Sequence, residues 1–158
     1  MQNASYEHDA EGALVMRDRI EANWSGTPWH IHPLQTEQFE ILEGALWVET
    51  RDGCLQVSKG ECYTVARGQP HRVHTIGEAQ VEAIITLDPA YDSDVYFRGV
   101  ALCFKQHRNT LLQVALMQSE VDHLGFYYAG IPIWFQDMLF ALLAPLARLL
   151  GYRMPESN

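Results

Sequence analysis

The sequence contains few cysteines and few basic residues. Three cysteines occur among 158 residues, and 11 lysines and arginines stand against 20 aspartates and glutamates, which gives a formal net charge of −9 at pH 7. An acidic chain is repelled by a phosphate backbone, so we expect no nucleic-acid partner. The cysteines form no Cys-x-x-Cys pair, and the N-terminus is polar, without the apolar run of a secretory signal. These absences predict free thiols and a cytoplasmic location.

A long uninterrupted apolar run is also missing. The most apolar stretch, residues 132–151, has about the length of a bilayer span, but Gln136, Asp137, Pro145 and Arg148 interrupt it. A charged side chain inside a span is costly. We therefore expect a helix that packs on the rest of the chain or on a partner subunit. Attachment to a membrane surface is the alternative, and a true span ranks last.

The residue pattern changes near Asp88-Pro89. Before this point, short segments with strand character alternate with turn residues, which predicts a closed barrel or a two-sheet jelly roll over residues 1–88. After it, helical periodicity predicts an extension of about three helices over residues 89–158. The expected strands are 13–20, 29–32, 37–43, 45–50, 54–57, 62–65, 71–76 and 80–87, and the expected helices are 93–108, 110–124 and 132–150.

Further residues can be assigned from this outline. Phe39, Ile41 and Trp47 are expected to line the barrel. Cys54 and Cys62 lie in expected strands and are interpreted as small buried side chains. The Phe-Tyr-Tyr-Ala segment that follows the second helix is bracketed by glycines, which is typical of a short connection.

Three histidines and one glutamate occur at spacings that suit a metal site. His30, His32 and Glu37 lie in the run WHIHPLQTEQFEILEG, and His71 lies in GECYTVARGQPH. Alternate side chains of a strand share a face, so His30 and His32 point the same way, and His71 points away from the face that carries His74. Imidazole and carboxylate groups together are a ligand set for a divalent transition metal. The pattern therefore predicts a metal site built on β-strands.

These two runs resemble the two signature motifs of the cupin superfamily. The first motif, His-x-His followed by Glu and Gly, is present in residues 30–44, and the second, with two glycines before its histidine, in residues 60–75. Three positions depart from the pattern. Trp24 stands in place of a leading glycine, Ala66 in place of a proline and Thr75 in place of an asparagine. None of these positions is a metal ligand.

The resemblance extends over roughly residues 13–88. It implies a double-stranded β-helix, the cupin barrel, followed here by the helical extension. It also implies that one divalent transition metal ion is bound by His30, His32, Glu37 and His71, and that Glu37 could in addition accept a proton. Fe²⁺ is the favoured ion, and Mn²⁺, Ni²⁺ or Zn²⁺ suit the same donors.

The resulting hypothesis is a metal-dependent enzyme that acts on a small apolar or aromatic molecule. An oxygenase of the dioxygenase type is slightly favoured over a lyase or isomerase. Two alternatives stay open: a non-catalytic module that binds a small ligand, and a membrane-surface protein that works through its apolar helical tail. We also expect a homodimer, because small cupins commonly pair through barrel edges and this chain has extra apolar helices to cover.

Overall fold

The computed structural model describes residues 5–123 and 125–156. Within these residues the chain forms ten strands and three helices. The strands are β1 (Ser5–His8), β2 (Leu14–Ile20), β3 (His30–Ile31), β4 (Thr36–Glu43), β5 (Ala45–Thr50), β6 (Gly53–Ser58), β7 (Cys62–Val65), β8 (His71–His74), β9 (Val81–Asp88) and β10 (Tyr127–Tyr128). The helices are α1 (Ser93–Gln106), α2 (Thr110–Gln118) and α3 (Ile133–Leu149).

The strands form two five-stranded sheets. The first has the strand order β1-β2-β9-β4-β7, and the second has the order β10-β3-β8-β5-β6. The paired strands run antiparallel, and many neighbours in space are distant in sequence, as in a jelly roll. The predicted class, mainly β with a C-terminal helical extension, is confirmed.

Alternate side chains of the central strands form the apolar interior. On β2 and β9 the buried residues occur at every second position, because successive side chains of a strand point to opposite faces. Met16 on β2, Ile85 on β9 and Phe39 on β4 are paired in register across three strands, and all are buried. Phe39 and Ile41 therefore line the interior, as predicted.

Two predictions of buried side chains are wrong. Trp47 lies on the face of β5 opposite the buried Leu46 and Val48, so it points away from the interior. Cys54 and Cys62 are exposed rather than buried. Both cysteines lie on strands at the edges of the sheets, β6 and β7, where a neighbouring strand covers only one side.

Three elements differ from the predicted outline. β1 was not predicted, because it is a largely exposed edge strand without apolar alternation. β10 lies in the segment predicted to be a connection. The second helix ends at Gln118 rather than near residue 124, and the Ser119 hydroxyl donates a hydrogen bond to the Leu116 carbonyl at this end.

The described chain divides into two compact units. The first comprises the residues up to Ala90 together with Phe126–Ala129, and the second comprises the remaining residues from Tyr91 onward. In the second unit α2 packs against both α1 and α3. Its buried cluster consists of Cys103, Leu116, Ala147 and Tyr152. Among the described helices, none has both the length and the apolar character needed to cross a bilayer.

Candidate metal centre

The structure brings the four predicted ligands together between the two sheets. His30 lies on β3, His32 directly follows that strand, Glu37 lies on β4 and His71 lies on β8. All four residues are buried, and one possible ligand atom from each lies within 4.8 Å of the others. The Nε2 atoms of His71, His32 and His30 are 2.7, 3.3 and 3.8 Å from Oε2 of Glu37. The four side chains therefore face a common point.

Strand register accounts for this convergence. His30 is paired directly with His71 across β3 and β8, so their side chains share the inner face of the second sheet. His32 follows two residues later, and its carbonyl accepts a hydrogen bond from the Gly68 amide at 2.8 Å. Glu37 enters from the first sheet, where it lies on β4 in the buried position between β7 and β9. The donors thus come from both sheets.

Backbone carbonyls fix the orientation of two of the imidazoles. Nδ1 of His30 is 2.9 Å from the Pro28 carbonyl oxygen, and Nδ1 of His71 is 3.0 Å from that of Gln69. A carbonyl oxygen can only accept, so each Nδ1 carries the proton and donates it. The Nε2 atom of each ring then faces the centre, and it has the lone pair whenever the ring is neutral. Metal-binding histidines in proteins are oriented in the same way.

Burial and the shared contacts shift the pKa values of His30, Glu37 and His71 in different directions. Burial lowers the pKa of His30 to about 4, although its contact with Glu37 opposes this shift. Burial alone would raise the pKa of Glu37, but the charge of His32 and the hydrogen bonds from the three histidines hold it well below its usual value. Burial opposes protonation of His71, yet the hydrogen bond to Glu37 outweighs it and raises the His71 pKa.

The chemistry of this donor set fits a divalent transition metal. A buried carboxylate and three converging imidazoles require a compensating positive charge, because an isolated charge is strongly disfavoured in a buried site. Without a metal, a proton shared between His71 and Glu37 can supply this charge. A metal ion bound by the same four groups would supply it instead, and imidazole with carboxylate is a recognised ligand combination for Fe, Zn, Ni and Mn.

His74 is excluded from this group, as strand alternation predicts. It lies on the opposite face of β8, where its Nδ1 is 3.5 Å from Oε1 of Glu49 and its ring stacks on Trp47 at 6.4 Å between centroids. Arg72 donates two hydrogen bonds of 2.8 Å to the same Glu49 carboxylate. The outer face of β8 therefore carries a separate cluster of paired charges and aromatic rings.

Two of the positions that depart from the cupin motifs, Trp24 and Thr75, form hydrogen bonds at the end of β8. Trp24 donates its amide to the Thr75 hydroxyl at 2.8 Å, and that hydroxyl donates to the Glu21 carbonyl at 2.8 Å. Thr75 thereby ties residues 21–24 to the end of the strand that carries His71. Gly26 lies against the backbone of the same strand, and a Cβ at this position would overlap the Val73 carbonyl oxygen.

One aromatic residue beside the centre was missed by the sequence analysis. The Phe126 ring stacks on the His30 ring, with 4.8 Å between centroids and 20° between planes, and it meets His32 edge-on at 6.2 Å. Tyr128 contacts Phe126 at 5.5 Å, and burial raises the pKa of the Tyr128 phenol. The run of three consecutive aromatic residues between two glycines was the available signal, but it is too short to predict a strand.

Two antiparallel sheets around a buried cluster of three histidines and one glutamate define a small jelly-roll domain with a candidate metal centre. The cupin domain family matches residues 16–87, which contain all four of these side chains. The predicted resemblance to the cupin superfamily is confirmed over these residues, which make up slightly less than half of the chain.

Two solved structures align with part of this chain. KdgF from Halomonas sp. aligns with a TM-score of 0.51 and 14% identity, over 58% of this chain and 81% of its own. A cupin-2 domain containing protein from Shewanella frigidimarina aligns with a TM-score of 0.46 and 20% identity, over 53% of this chain and 78% of its own. At 14% identity, the KdgF structure shows the fold and nothing further.

One curated protein is similar over nearly the whole chain. Epoxidase atD of Aspergillus terreus is 25% identical across 98% of this chain, which corresponds to 49% of the epoxidase. The chain therefore spans about half the length of this relative. The alignment extends well beyond the cupin domain, so the helical extension is included in the similarity.

Proposed function

We propose that the protein is a metal-dependent cupin oxygenase that acts on a small apolar or aromatic molecule. The observation that carries this proposal is the convergence of His30, His32, Glu37 and His71 within 4.8 Å of one another in a buried site. These four residues would hold one divalent transition metal ion, with Fe²⁺ favoured. Such an ion, when bound, supplies the one-electron chemistry that dioxygen reactions require.

The protein itself orients two of the imidazoles, buries the four candidate ligands and keeps the Glu37 carboxylate charged. The carbonyls of Pro28 and Gln69 fix two of the imidazoles, so their Nε2 atoms face the centre before any ion arrives. Burial of all four side chains shields the centre from bulk solvent. The low pKa of Glu37 keeps its carboxylate ionised, so a cation is attracted to the centre once the His71 proton has left.

Similarity to an epoxidase supports oxygenation over the other cupin chemistries. An epoxidase adds oxygen to its substrate, and the similarity to this enzyme covers 98% of the chain at 25% identity. Because the chain corresponds to only 49% of that enzyme, the activity of the whole relative is transferred here as a proposal. An apolar interior is consistent with an apolar small molecule as the substrate.

A lyase or isomerase reaction is the second candidate. It is favoured by one observation, the ionised carboxylate of Glu37, which is 2.7 Å from the His71 imidazole and could accept a proton from a substrate. For a lyase or isomerase reaction, a redox-inert ion would be sufficient. The two candidates therefore differ in their need for dioxygen and for a redox-active metal.

Metal exchange separates the two candidates. The protein, purified without a histidine tag, is loaded with Fe²⁺ or with Zn²⁺ and mixed with a panel of small aromatic and unsaturated compounds. An oxygenase consumes dioxygen with Fe²⁺ and not with Zn²⁺, whereas a lyase or isomerase turns over without dioxygen and with either ion. The His74→Ala variant serves as a control, because His74 lies on the opposite face of β8. Failure to load either ion would refute both candidates and favour a non-catalytic binding module.

We also propose that the protein is a cytoplasmic homodimer. An exposed apolar stripe on α3 supports the dimer, since Trp134, Leu142 and Leu149 are 67, 69 and 83% exposed. Analytical ultracentrifugation at micromolar concentration should show a dimer. Co-sedimentation with liposomes in place of dimerisation would favour the membrane-surface alternative.

A further inference from the structure

A strand from outside the matched cupin region completes the second sheet beside the metal centre. β10 pairs antiparallel with β3, so that Tyr128 lies opposite His30 and Tyr127 lies opposite Ile31. The Ala129 amide extends the pairing by donating to the Trp29 carbonyl at 3.0 Å. This strand is separated from the family-matched residues 16–87 by two helices. It is therefore an addition to the cupin core, placed directly against a ligand strand.

The register of β10 determines which of its side chains face the centre. Directly opposite residues of an antiparallel pair share a face, so Tyr128 is on the inner face with His30. Strand alternation then places Phe126 on the same face and Tyr127 on the other. The stacking of Phe126 on His30 agrees with this assignment. Two aromatic residues of this segment thus lie on the same face of the sheet as His30, and the Phe126 ring contacts it.

The two aromatic residues differ in burial and in chemistry. Phe126 is 4% exposed and packs against the His30 and His32 rings, so it contributes a dry apolar surface next to two ligands. Tyr128 is only half-buried and stands perpendicular to Phe126, with 87° between the ring planes. Its hydroxyl can donate or accept a hydrogen bond. Tyr128 is therefore more exposed to solvent than Phe126 and the four ligand candidates.

We propose that Phe126 and Tyr128 determine substrate specificity at the metal centre and select a small, uncharged aromatic ring that carries an oxygen substituent. Phe126 contributes apolar contact to the ring, and the Tyr128 hydroxyl donates a hydrogen bond to the substituent oxygen. Aromatic side chains favour aromatic partners in stacked or edge-to-face packing. This inference rests on the proposed function, because it names the substrate class of the same site.

Fluorinated probes provide the test. Binding of 4-fluorophenol and of 4-fluorotoluene, which differ in the hydroxyl group, is measured by ¹⁹F NMR titration of metal-free and Co²⁺-loaded protein. The variants are Tyr128→Phe, Phe126→Leu and Tyr127→Phe. The last variant is a matched control, because it removes a hydroxyl from the adjacent residue on the opposite face of the same strand.

The expected result is selective. Tyr128→Phe should weaken 4-fluorophenol binding about three- to tenfold, the usual effect of one hydrogen bond, and leave 4-fluorotoluene binding unchanged. Phe126→Leu should weaken both probes, and Tyr127→Phe should affect neither. Three outcomes would each overturn the inference. The first is that wild type and Tyr128→Phe bind 4-fluorophenol equally, and the second is that Tyr128→Phe and Tyr127→Phe lose the same amount of affinity. The third is that wild type binds neither probe. Failure to load Co²⁺ would refute the metal proposal alone, since the probe comparison is also made without metal.

Discussion

Replacement of His71 by alanine should remove two separable contributions to stability. The His71 side chain is fully buried and its Nε2 lies 2.7 Å from the Glu37 carboxylate. A hydrogen bond to a charged group contributes about 1.5–3 kcal/mol, and the alanine also leaves a cavity. We therefore expect metal-free His71→Ala to be about 3 kcal/mol less stable than wild type. For a chain of this size, this corresponds to a melting temperature lower by about 6–12 °C.

The metal response gives the second and more specific contribution. An ion at about 1,000 times its dissociation constant stabilises a protein by about 4.1 kcal/mol, or roughly 8–16 °C here. Loss of an outer-shell partner weakens metal affinity by up to about 100-fold, so loss of a ligand should cost at least that much. At the same ion concentration His71→Ala would then gain only about 1.4 kcal/mol, or roughly 3–6 °C.

Differential scanning fluorimetry with and without Co²⁺ measures both contributions. His74→Ala is the matched control, because it removes the same kind of side chain from the outer face of the same strand. We expect this control to keep the full metal-induced shift. A full shift in His71→Ala, or its loss in His74→Ala, would show that the ion is bound elsewhere and would refute the ligand assignment.

Three further predictions concern proton release, backbone packing and thiol exposure. Because the pKa of His71 is raised, its proton must leave before an ion can bind, so Co²⁺ affinity should rise by up to about tenfold per pH unit and level off above that pKa. Calorimetry in buffers of different ionisation enthalpy counts the protons released on binding, and a count of zero would contradict this prediction. Gly26→Ala should destabilise the protein by at least about 2 kcal/mol, because the new Cβ would overlap the backbone of β8 and Gly26 has a φ of +98°. Urea titration measures this effect, and an unchanged unfolding midpoint would contradict the packing of Gly26 against β8. Cys54 and Cys62 should react rapidly with a thiol reagent while the buried Cys103 reacts only on unfolding, so a count of three fast thiols would contradict the fold.

The ligand positions could be predicted from the sequence because they depend on short-range rules. His30 and His32 share a face by the period of a strand, and the same period separates His71 from His74. Glu37 lies only five residues after His32, at the start of the next strand. Local spacing and ligand chemistry are therefore sufficient to identify these side chains.

The remaining features depend on information that local patterns do not contain. Trp47 was placed on the wrong face because an apolar residue was assumed to point inward, whereas the buried residues of β5 are its two neighbours. Phe126 reaches His30 through a pairing between segments nearly a hundred residues apart, and a two-residue strand has no periodicity to detect. Long-range pairing of this kind is set by the tertiary fold and overrides the local preference for a loop.

The discontinuity of the first unit has a consequence for biosynthesis. Its last strand is Tyr127–Tyr128, whereas its other described strands end by Asp88. During translation, the jelly roll therefore emerges from the ribosome with β3 as an open edge, and the ring that packs on His30 arrives only after two helices have been made. A nascent chain arrested before residue 126, or one cut there by a protease, would expose unpaired backbone groups next to a ligand and would be prone to aggregate.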